Sequence, residues 1–572
     1  MFSVYVLRSL MTRRSYTGHT SDLSHRIEPH NREIIIVALI FEVLLPIKSI
    51  KVHSDPQISQ IFAEFPNPIL HTLSFRNRGL FMSLDPRLPA SKRPLFVGLC
   101  VLLLFFLSAC SRPAPKPEPK TTVSAPTSDQ MMAKASRRDE NGWIHVHLEG
   151  APDVVGYQHG YLLANEILDL RGALSMVLDH DTKKNWDFYR TESLKLFWSK
   201  TPEEYQKEID GIVRGANAKL GANKIDREDV VAMNAMEEMA FYYVPWLKSK
   251  TDPKAAENKA PGNCSAFVAT GSWTKDGQIV MAHNNWTSYV TGERWNVIMD
   301  LVPEKGHRVL MDAMPGFIHS GDDFNVNDAG IMVTETTITQ FQGFDPNGIA
   351  EFVRARKAIQ YAASIDDWVA TMREGNNGGY ANDWLIGDNK TGEIARLELG
   401  LKNTPLERTQ DGYFVGSNFP VDPKVIKEET TFNTKAKNTS PNARRVCWES
   451  LMKQYKGRID VESAKKFEAN HLDTFRNKEE ADANTLCGHV DRDARGTPEW
   501  EWGKFYPGGT VQSKAIDGTL AGEMKFWAAM GHPCGQNFVA KDFLKAHPEY
   551  QWQEKYLRDM PGQPWTLFGK RE

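Results

Sequence analysis

Between residues 264 and 337 the chain offers five strand-like segments in a row, at about 265–271, 278–283, 295–302, 308–311 and 330–337, with no helical period between them. Strands that follow one another without intervening helices cannot build the strand–helix alternation of a doubly wound parallel sheet. Helical patterns come first, at about 153–181, 202–220 and 227–243, with Asp226 placed to cap the last. Helices return at about 349–363, 365–373 and 442–455, and strands at 384–388, 393–399, 510–515 and 523–530. The order predicts an α+β protein with sheets and helices in separate layers, and no internal repeat is visible.

The chain has 572 residues, a formal charge of −3 and 41% hydrophobic residues, an ordinary globular balance that gives no electrostatic pull toward nucleic acid. Its first fifth reads differently. Residues 95–107 (LFVGLCVLLLFFL) are unbroken apolar sequence, preceded by Lys92 and Arg93 and followed by Ser108-Ala109-Cys110-Ser111. That run is short for a membrane span, which needs about 20 apolar residues, and its three parts are those of a secretory signal. The Leu107-Ser108-Ala109-Cys110 ending resembles a bacterial lipobox, implying a signal over 82–110, lipidation of Cys110 and a lipid-anchored place in the bacterial cell envelope, outer membrane or periplasmic face. Residues 1–31 resemble the opening strand pair and helix of a GIY-YIG nuclease, but the remainder of such a domain does not follow. Residues 1–81 are therefore expected to be a remnant or spurious extension. Residues 111–138, starting Arg112-Pro113-Ala114-Pro115, are expected to be an extended tether, with the folded body at 139–572.

The chemistry centres on Cys264, in Pro261-Gly262-Asn263-Cys264-Ser265-Ala266. A cysteine attacks as thiolate, and its free pKa of about 8.5 needs a base nearby. An α-amino group, with a pKa of about 7.7–8.0, is such a base. Cutting the Asn263–Cys264 bond would put that amine on the same residue as the sulfur. The same thiol could make the cut by attacking the Asn263 carbonyl, and Gly262 supplies freedom for the turn.

The motifs Cys264-Ser265-Ala266, Ala282-His283-Asn284-Asn285-Trp286, Pro315-Gly316-Phe317-Ile318-His319-Ser320-Gly321-Asp322-Asp323, Thr334-Glu335-Thr336-Thr337 and Gly378-Gly379-Tyr380-Ala381-Asn382-Asp383-Trp384 occur in register and in order. Together they resemble the phospholipase B-like (lamina-ancestor) family. Gly156-Tyr157-Gln158-His159-Gly160 also looks like the related acyl-coenzyme A:6-aminopenicillanic acid acyltransferases. The resemblance, over about 141–540, implies the N-terminal-nucleophile hydrolase fold, a four-layer αββα sandwich autocleaved at 263/264. It implies Cys264 as nucleophile, His283, Asn284 and Trp286 lining the site at the end of the next strand, Asn382 in an oxyanion hole, and Arg444 or Arg445 as the active-site arginine. Many relatives of the wider superfamily place an Asp near the HNxW segment. This chain has no acid beside Trp286, so orientation of the amine would fall to Asn and His.

The implied activity is hydrolysis of an amide or ester of a small acyl compound, lipid among them, with no cofactor. A non-catalytic envelope binding lipoprotein and an acyltransferase are the alternatives. Asp322-Asp323 reads as a structural turn and Gly156–Gly160 as helix packing. Cys487 and Cys534 lie in similar settings and are expected to form a disulfide in an exported protein. With no close CxxC pair or HExxH, no metal site is expected.

Overall fold

The computed structural model describes residues 127–252, 264–321 and 324–570, plus the backbone of four short strands before residue 83. Two units divide at residue 124. In the first, Ser3–Arg8 pairs antiparallel with Ser15–Thr20, and Leu73–Arg76 with Gly79–Met82. The apolar signal run, Cys110, the proline-rich tether up to 126, the Asp322-Asp323 turn and Asn263 lie outside the described residues.

Besides the short pair Leu472–Asp473 and Lys478–Glu479, the second unit carries two sheets. Its strands are β1 (Ser136–Glu140), β2 (Trp143–Gly150), β3 (Cys264–Thr270), β4 (Val280–Ser288), β5 (Val297–Pro303), β6 (Val309–Ala313), β7 (Asn325–Asn327), β8 (Ile331–Thr337), β9 (Asn382–Asp388), β10 (Glu393–Leu399), β11 (Leu406–Thr409), β12 (Gly412–Gly416), β13 (Gly508–Asp517), β14 (Lys525–Met530) and β15 (Thr566–Gly569). A nine-stranded sheet runs β11-β10-β9-β8-β7-β6-β5-β2-β1, and a six-stranded sheet runs β12-β3-β4-β13-β14-β15. Neighbours are antiparallel except β2 and β5, which pair in parallel across the long helical insertion between them.

The helices of that insertion are α1 (Pro152–Leu162), α2 (Ala164–Thr182), α3 (Trp186–Phe197), α4 (Glu203–Leu220) and α5 (Arg227–Asn234). With α6 (Glu351–Tyr361) and α7 (Ile365–Arg373) they cover one face of the larger sheet through residues such as Ile167, Ile209, Val230, Val297, Val333 and Trp384. A second core lies between the sheets, with Ala266, Val268, Met281, Leu310, Phe324, Met332, Leu385 and Phe526. A third lies beyond the smaller sheet, where α8 (Ser440–Gln454) and α9 (Val461–Glu468) pack Trp448, Met452, Ala464 and Phe467 onto Phe267, Ala269, Val280 and Ala282. Three cores separate four layers: helix, sheet, sheet, helix. The expected α+β layering is therefore present.

Alternation explains the middle sheet: even-numbered residues of β3 enter the inter-sheet core, and odd-numbered ones the outer core. The two sheets are also bridged by a buried ion pair, Lys514 Nζ to Asp312 Oδ2 at 3.0 Å, in which Gln512 Nε2 donates to the same carboxylate at 2.7 Å.

Three boundaries differ from expectation. The body begins near Thr127, not 139. A short capped helix, Ser128–Met132, gives Ser128 Oγ to Tyr157 and Met131 O to Gln158, and β1 pairs along β2. β1 reads Ser-Arg-Arg-Asp-Glu and has no apolar residue to reveal it; as an edge strand it needs none. The helix expected at 153–181 breaks at Leu163, where φ is −115° and ψ is 21°. β4 continues to Ser288, so His283-Asn284-Asn285-Trp286 lies inside a strand rather than at its end, because both faces of that polar run are covered.

Candidate active site

Cys264 opens β3 and is 1% exposed. Its backbone is held at both polar atoms. The N–H donates to Asn418 Oδ1 at 3.3 Å, and the carbonyl accepts from Arg444 Nη1 at 2.6 Å. Arg444 Nη2 also donates to Asn418 Oδ1 at 2.8 Å, and Nε to Ser440 Oγ at 3.0 Å. Asn418 itself sits at φ +63° and donates to Thr337 O at 2.9 Å, joining the turn after β12 to the end of β8.

The thiol donates to Glu335 Oε1 at 3.3 Å, from one sheet to the other across 71 residues of sequence. Glu335 is fully buried on β8. Tyr380 OH donates to the same oxygen at 3.4 Å. Burial first, then the neighbouring Glu335 and Cys264, hold that phenol far above its usual range, so it remains a donor. With its amide turned to suit its neighbours, Asn382 Nδ2 donates to Glu335 Oε2 at 2.9 Å and to Ala381 O at 3.0 Å. One acid thus receives the thiol, a phenol and an amide.

This corrects the expectation that no acid serves the site. An acid is present, contributed by the opposite sheet instead of by the HNxW segment. In sequence, Thr334-Glu335-Thr336-Thr337 reads as the polar end of a strand, and nothing local marks Glu335 apart.

The HNxW residues divide between two faces of β4. Cys264 pairs with Asn285 and Ala266 with His283, so His283 and Asn285 share the thiol's face. Cys264, His283 and Glu335 offer atoms within 4.8 Å of one another. Burial first, then Lys514, pulls the His283 ring far below its ordinary range, while a hydrogen bond to the Glu335 backbone opposes them. His283 is therefore a neutral imidazole that positions the acid's strand. The buried Nδ2 of Asn285 has no hydrogen-bond partner among the described residues. Neither its role nor that of Glu335 was expected from sequence; the second Asn of the Asn284-Asn285 pair was the available signal.

Asn284 and Trp286 face the outer helical layer instead. Asn284 Nδ2 donates to Glu468 O at 3.0 Å and Leu486 O at 2.8 Å, and its Oδ1 accepts from Ser513 Oγ. That makes Asn284 a tie between sheet and loops, turned away from the thiol. The Arg444 guanidinium lies 4.3 Å from the Trp286 ring and 5.6 Å from Trp500, two rings that meet edge to face. Burial pulls the Arg444 guanidinium down, and Cys264 and Glu499 oppose the shift. Arg445 is excluded from this group, since it pairs with Glu449 and covers Phe419.

Cys487 and Cys534 are free thiols, which corrects the expected disulfide. Both sulfurs approach His489 Nε2, at 3.2 and 3.6 Å, and such a ring nitrogen offers each thiol a partner that a disulfide would forgo. Three groups among the described residues have donor sets that a metal could use: this one with His471, Cys264–His283–Glu335, and His489–Asp491–His532. In the second, both oxygens of Glu335 are already engaged by the thiol, Tyr380 and Asn382, so the arrangement suits proton transfer from sulfur better than metal ligation.

Residues 174–399 match the family model described as Phospholipase B. That segment, two fifths of the chain, is similar to the phospholipase B family. It contains Cys264, His283, Asn285, Glu335 and Asn382, while Asn418 and Arg444 lie beyond it. An uncharacterised protein of Archaeoglobus fulgidus is 26% identical over 259 residues, 44% of this chain and 42% of its own length. Phospholipase B-like 1 of Homo sapiens is 24% identical over 225 residues, 37% of this chain and 40% of its own. Phospholipase B-like 1 of Bos taurus is 23% identical over 265 residues, 41% and 48% respectively. The chain therefore spans less than half the length of these curated relatives. Among its described residues no helix is long and apolar enough to cross a membrane.

Proposed function

We propose that this chain is a self-processing hydrolase of the N-terminal-nucleophile type that cleaves an acyl amide or acyl ester through Cys264. The observation that carries the reading is the 3.3 Å approach of the thiol to a buried carboxylate, on a residue whose backbone is clamped by Arg444 and Asn418.

In the uncut chain Cys264 has no free amine, so Glu335 is the base for processing. It accepts the thiol proton, and the thiolate adds to the Asn263 carbonyl carbon. The C–N bond to Cys264 breaks, and the proton passes to that nitrogen, which becomes a free amine. Water then adds to the Asn263 thioester and the C–S bond breaks, leaving a carboxylate and the thiol. In the mature enzyme the amine takes over as base, held by Asn418 Oδ1. The thiolate attacks the substrate acyl carbon, the proton leaves with the amine or alcohol, and water releases the acid. The Asn285 amide is available to donate to the tetrahedral oxyanion, an interaction worth about 3 kcal/mol in other hydrolases. Asn382 can join it only by giving up Glu335 or Ala381.

The names of the relatives put phospholipid esters among the substrates to try, beside acyl amides. We further propose that export and lipidation at Cys110 fix the enzyme to the envelope, in which case Cys110→Ser would move it from the membrane to the soluble fraction; unchanged partition would reject the anchor. To test the chemistry, the processed protein is mixed with a phospholipid or an acyl amide and quenched in acid. The expected product is an acyl adduct on the peptide that begins at Cys264. Turnover of the same substrate by Cys264→Ala at the wild-type rate would refute the reading.

A further inference from the structure

On the far side of Trp286 from the thiol, four side chains from three separate segments converge. His471 follows α9, Cys487 and His489 flank Gly488, and Cys534 lies in the turn that leaves β14. One ligand atom from each lies within 4.8 Å of all the others. Cys487 Sγ is 3.2 Å and Cys534 Sγ 3.6 Å from the same nitrogen, His489 Nε2. The His471 and His489 rings meet edge to face with centroids 5.1 Å apart, and His471 Nε2 is buried with no hydrogen-bond partner among the described residues.

We propose that His471, Cys487, His489 and Cys534 hold one zinc-class divalent ion in closed tetrahedral coordination. Bonds of about 2.3 Å to sulfur and about 2.0 Å to imidazole nitrogen put tetrahedral ligand atoms roughly 3.3–3.8 Å apart. The four donors need only small rotations to meet that. Two thiolates with two imidazoles is a donor set that selects zinc over the harder calcium, magnesium and manganese. A disulfide between the two cysteines would use the sulfurs alone and leave two imidazoles aimed at nothing. Asp491 and His532 stand within 4.8 Å of the His489 donor and supply the polar surroundings in which metal-bound histidines are held. The chain's lack of a CxxC pair is no obstacle, because only Cys487-x-His489 is local and the other ligands are brought by the fold.

Four protein ligands leave no open position, so the ion's role is structural. It ties the 469–489 segment to the exit of β14. The first of these supports the site from behind. Leu486 O receives Asn284, and Gly488 lies so close that a Cβ there would come within 2.1 Å of the Trp286 ring. The cross-link therefore steadies the platform on which Arg444 rests.

The test is metal analysis of the purified full chain after dialysis against metal-free buffer, with cobalt substitution as a second reading. About one zinc per chain is expected, and cobalt-loaded protein should show thiolate charge-transfer and tetrahedral ligand-field bands. Cys534→Ser, at one of the two half-buried ligands, should lose both signals, while Cys447→Ser, a free thiol outside the group, keeps them. The cobalt spectrum of the wild-type chain stands even if a variant misfolds. A Cys487–Cys534 disulfide in a non-reduced digest would overturn the proposal. So would a metal-free chain with both thiols open to alkylation and no cobalt bands, or metal retained by Cys534→Ser.

Discussion

In the proposed processing, Glu335 is the residue on which the chemistry turns. Its side chain accepts from a thiol, a phenol and an amide, and the thiol is the one whose proton must move. Glu335→Gln keeps the size and one acceptor oxygen, turns the other acceptor into a donor, and removes the base. General-base catalysis contributes about 10²–10⁴-fold. Cutting at 263/264, followed by intact mass over time, is expected to slow by at least about 10²-fold, while Glu335→Asp retains part of the rate. Processing of the Gln variant at the wild-type rate would remove Glu335 from the mechanism. Why this acid was invisible in the sequence is a matter of geometry. Alternation reports which face of its own sheet a residue occupies, and says nothing of what a second sheet brings to that spot. Cys264 and His283 were legible because each sits in a run of unusual residue types; Glu335 among threonines does not.

At the scale of elements, α1 and α4 pack backbone to backbone. A Cβ on Gly160 would lie 2.0 Å from Ile212 O, and one on Gly215 would lie 2.1 Å from Tyr157 O. The Gly156–Gly160 motif is therefore packing, as expected. Gly160→Ala must push the helices apart, and overpacking of this kind costs about 3 kcal/mol. Gly522→Ala, whose Cβ would meet nothing closer than 3.8 Å, is the control and should change stability by less than about 0.5 kcal/mol. Equal loss in denaturant melts of the two variants would contradict the close approach. Strands with apolar alternation, such as β10 and β14, were readable to within a residue or two. β1 was not, because an edge strand can be polar throughout. The end of β4 was misplaced for the opposite reason: His283-Asn284-Asn285 looks like a loop, yet Glu468 O, Leu486 O and Ser513 satisfy Asn284 inside the protein.

The whole molecule carries buried neutral histidines in its helical layer. Burial pulls His159 and His319 down to about 3, with Arg356 a lesser cause for each. His159 Nε2 accepts the Gly316 N–H at 2.8 Å, as only an unprotonated nitrogen can. In the unfolded chain both rings titrate near 6.5. Between 6.5 and about 3 the unfolded state binds more protons, so the stability these rings contribute is complete above 6.5 and is lost as pH falls. Each site costs up to about 1.4 kcal/mol per pH unit in that window. Denaturant melts at pH 7 and pH 5 should show the loss, and His159→Gln should reduce it. An unchanged slope in that variant would mean the ring is already protonated in the native state.

Everything proposed for catalysis requires a chain start at residue 264. Mass spectrometry of the mature protein reads this directly. The account predicts two retained pieces, the second opening with Cys264, and a single uncut chain for Cys264→Ala. An active protein with its Asn263–Cys264 bond intact, or a Cys264→Ala chain severed at that same bond, would contradict it.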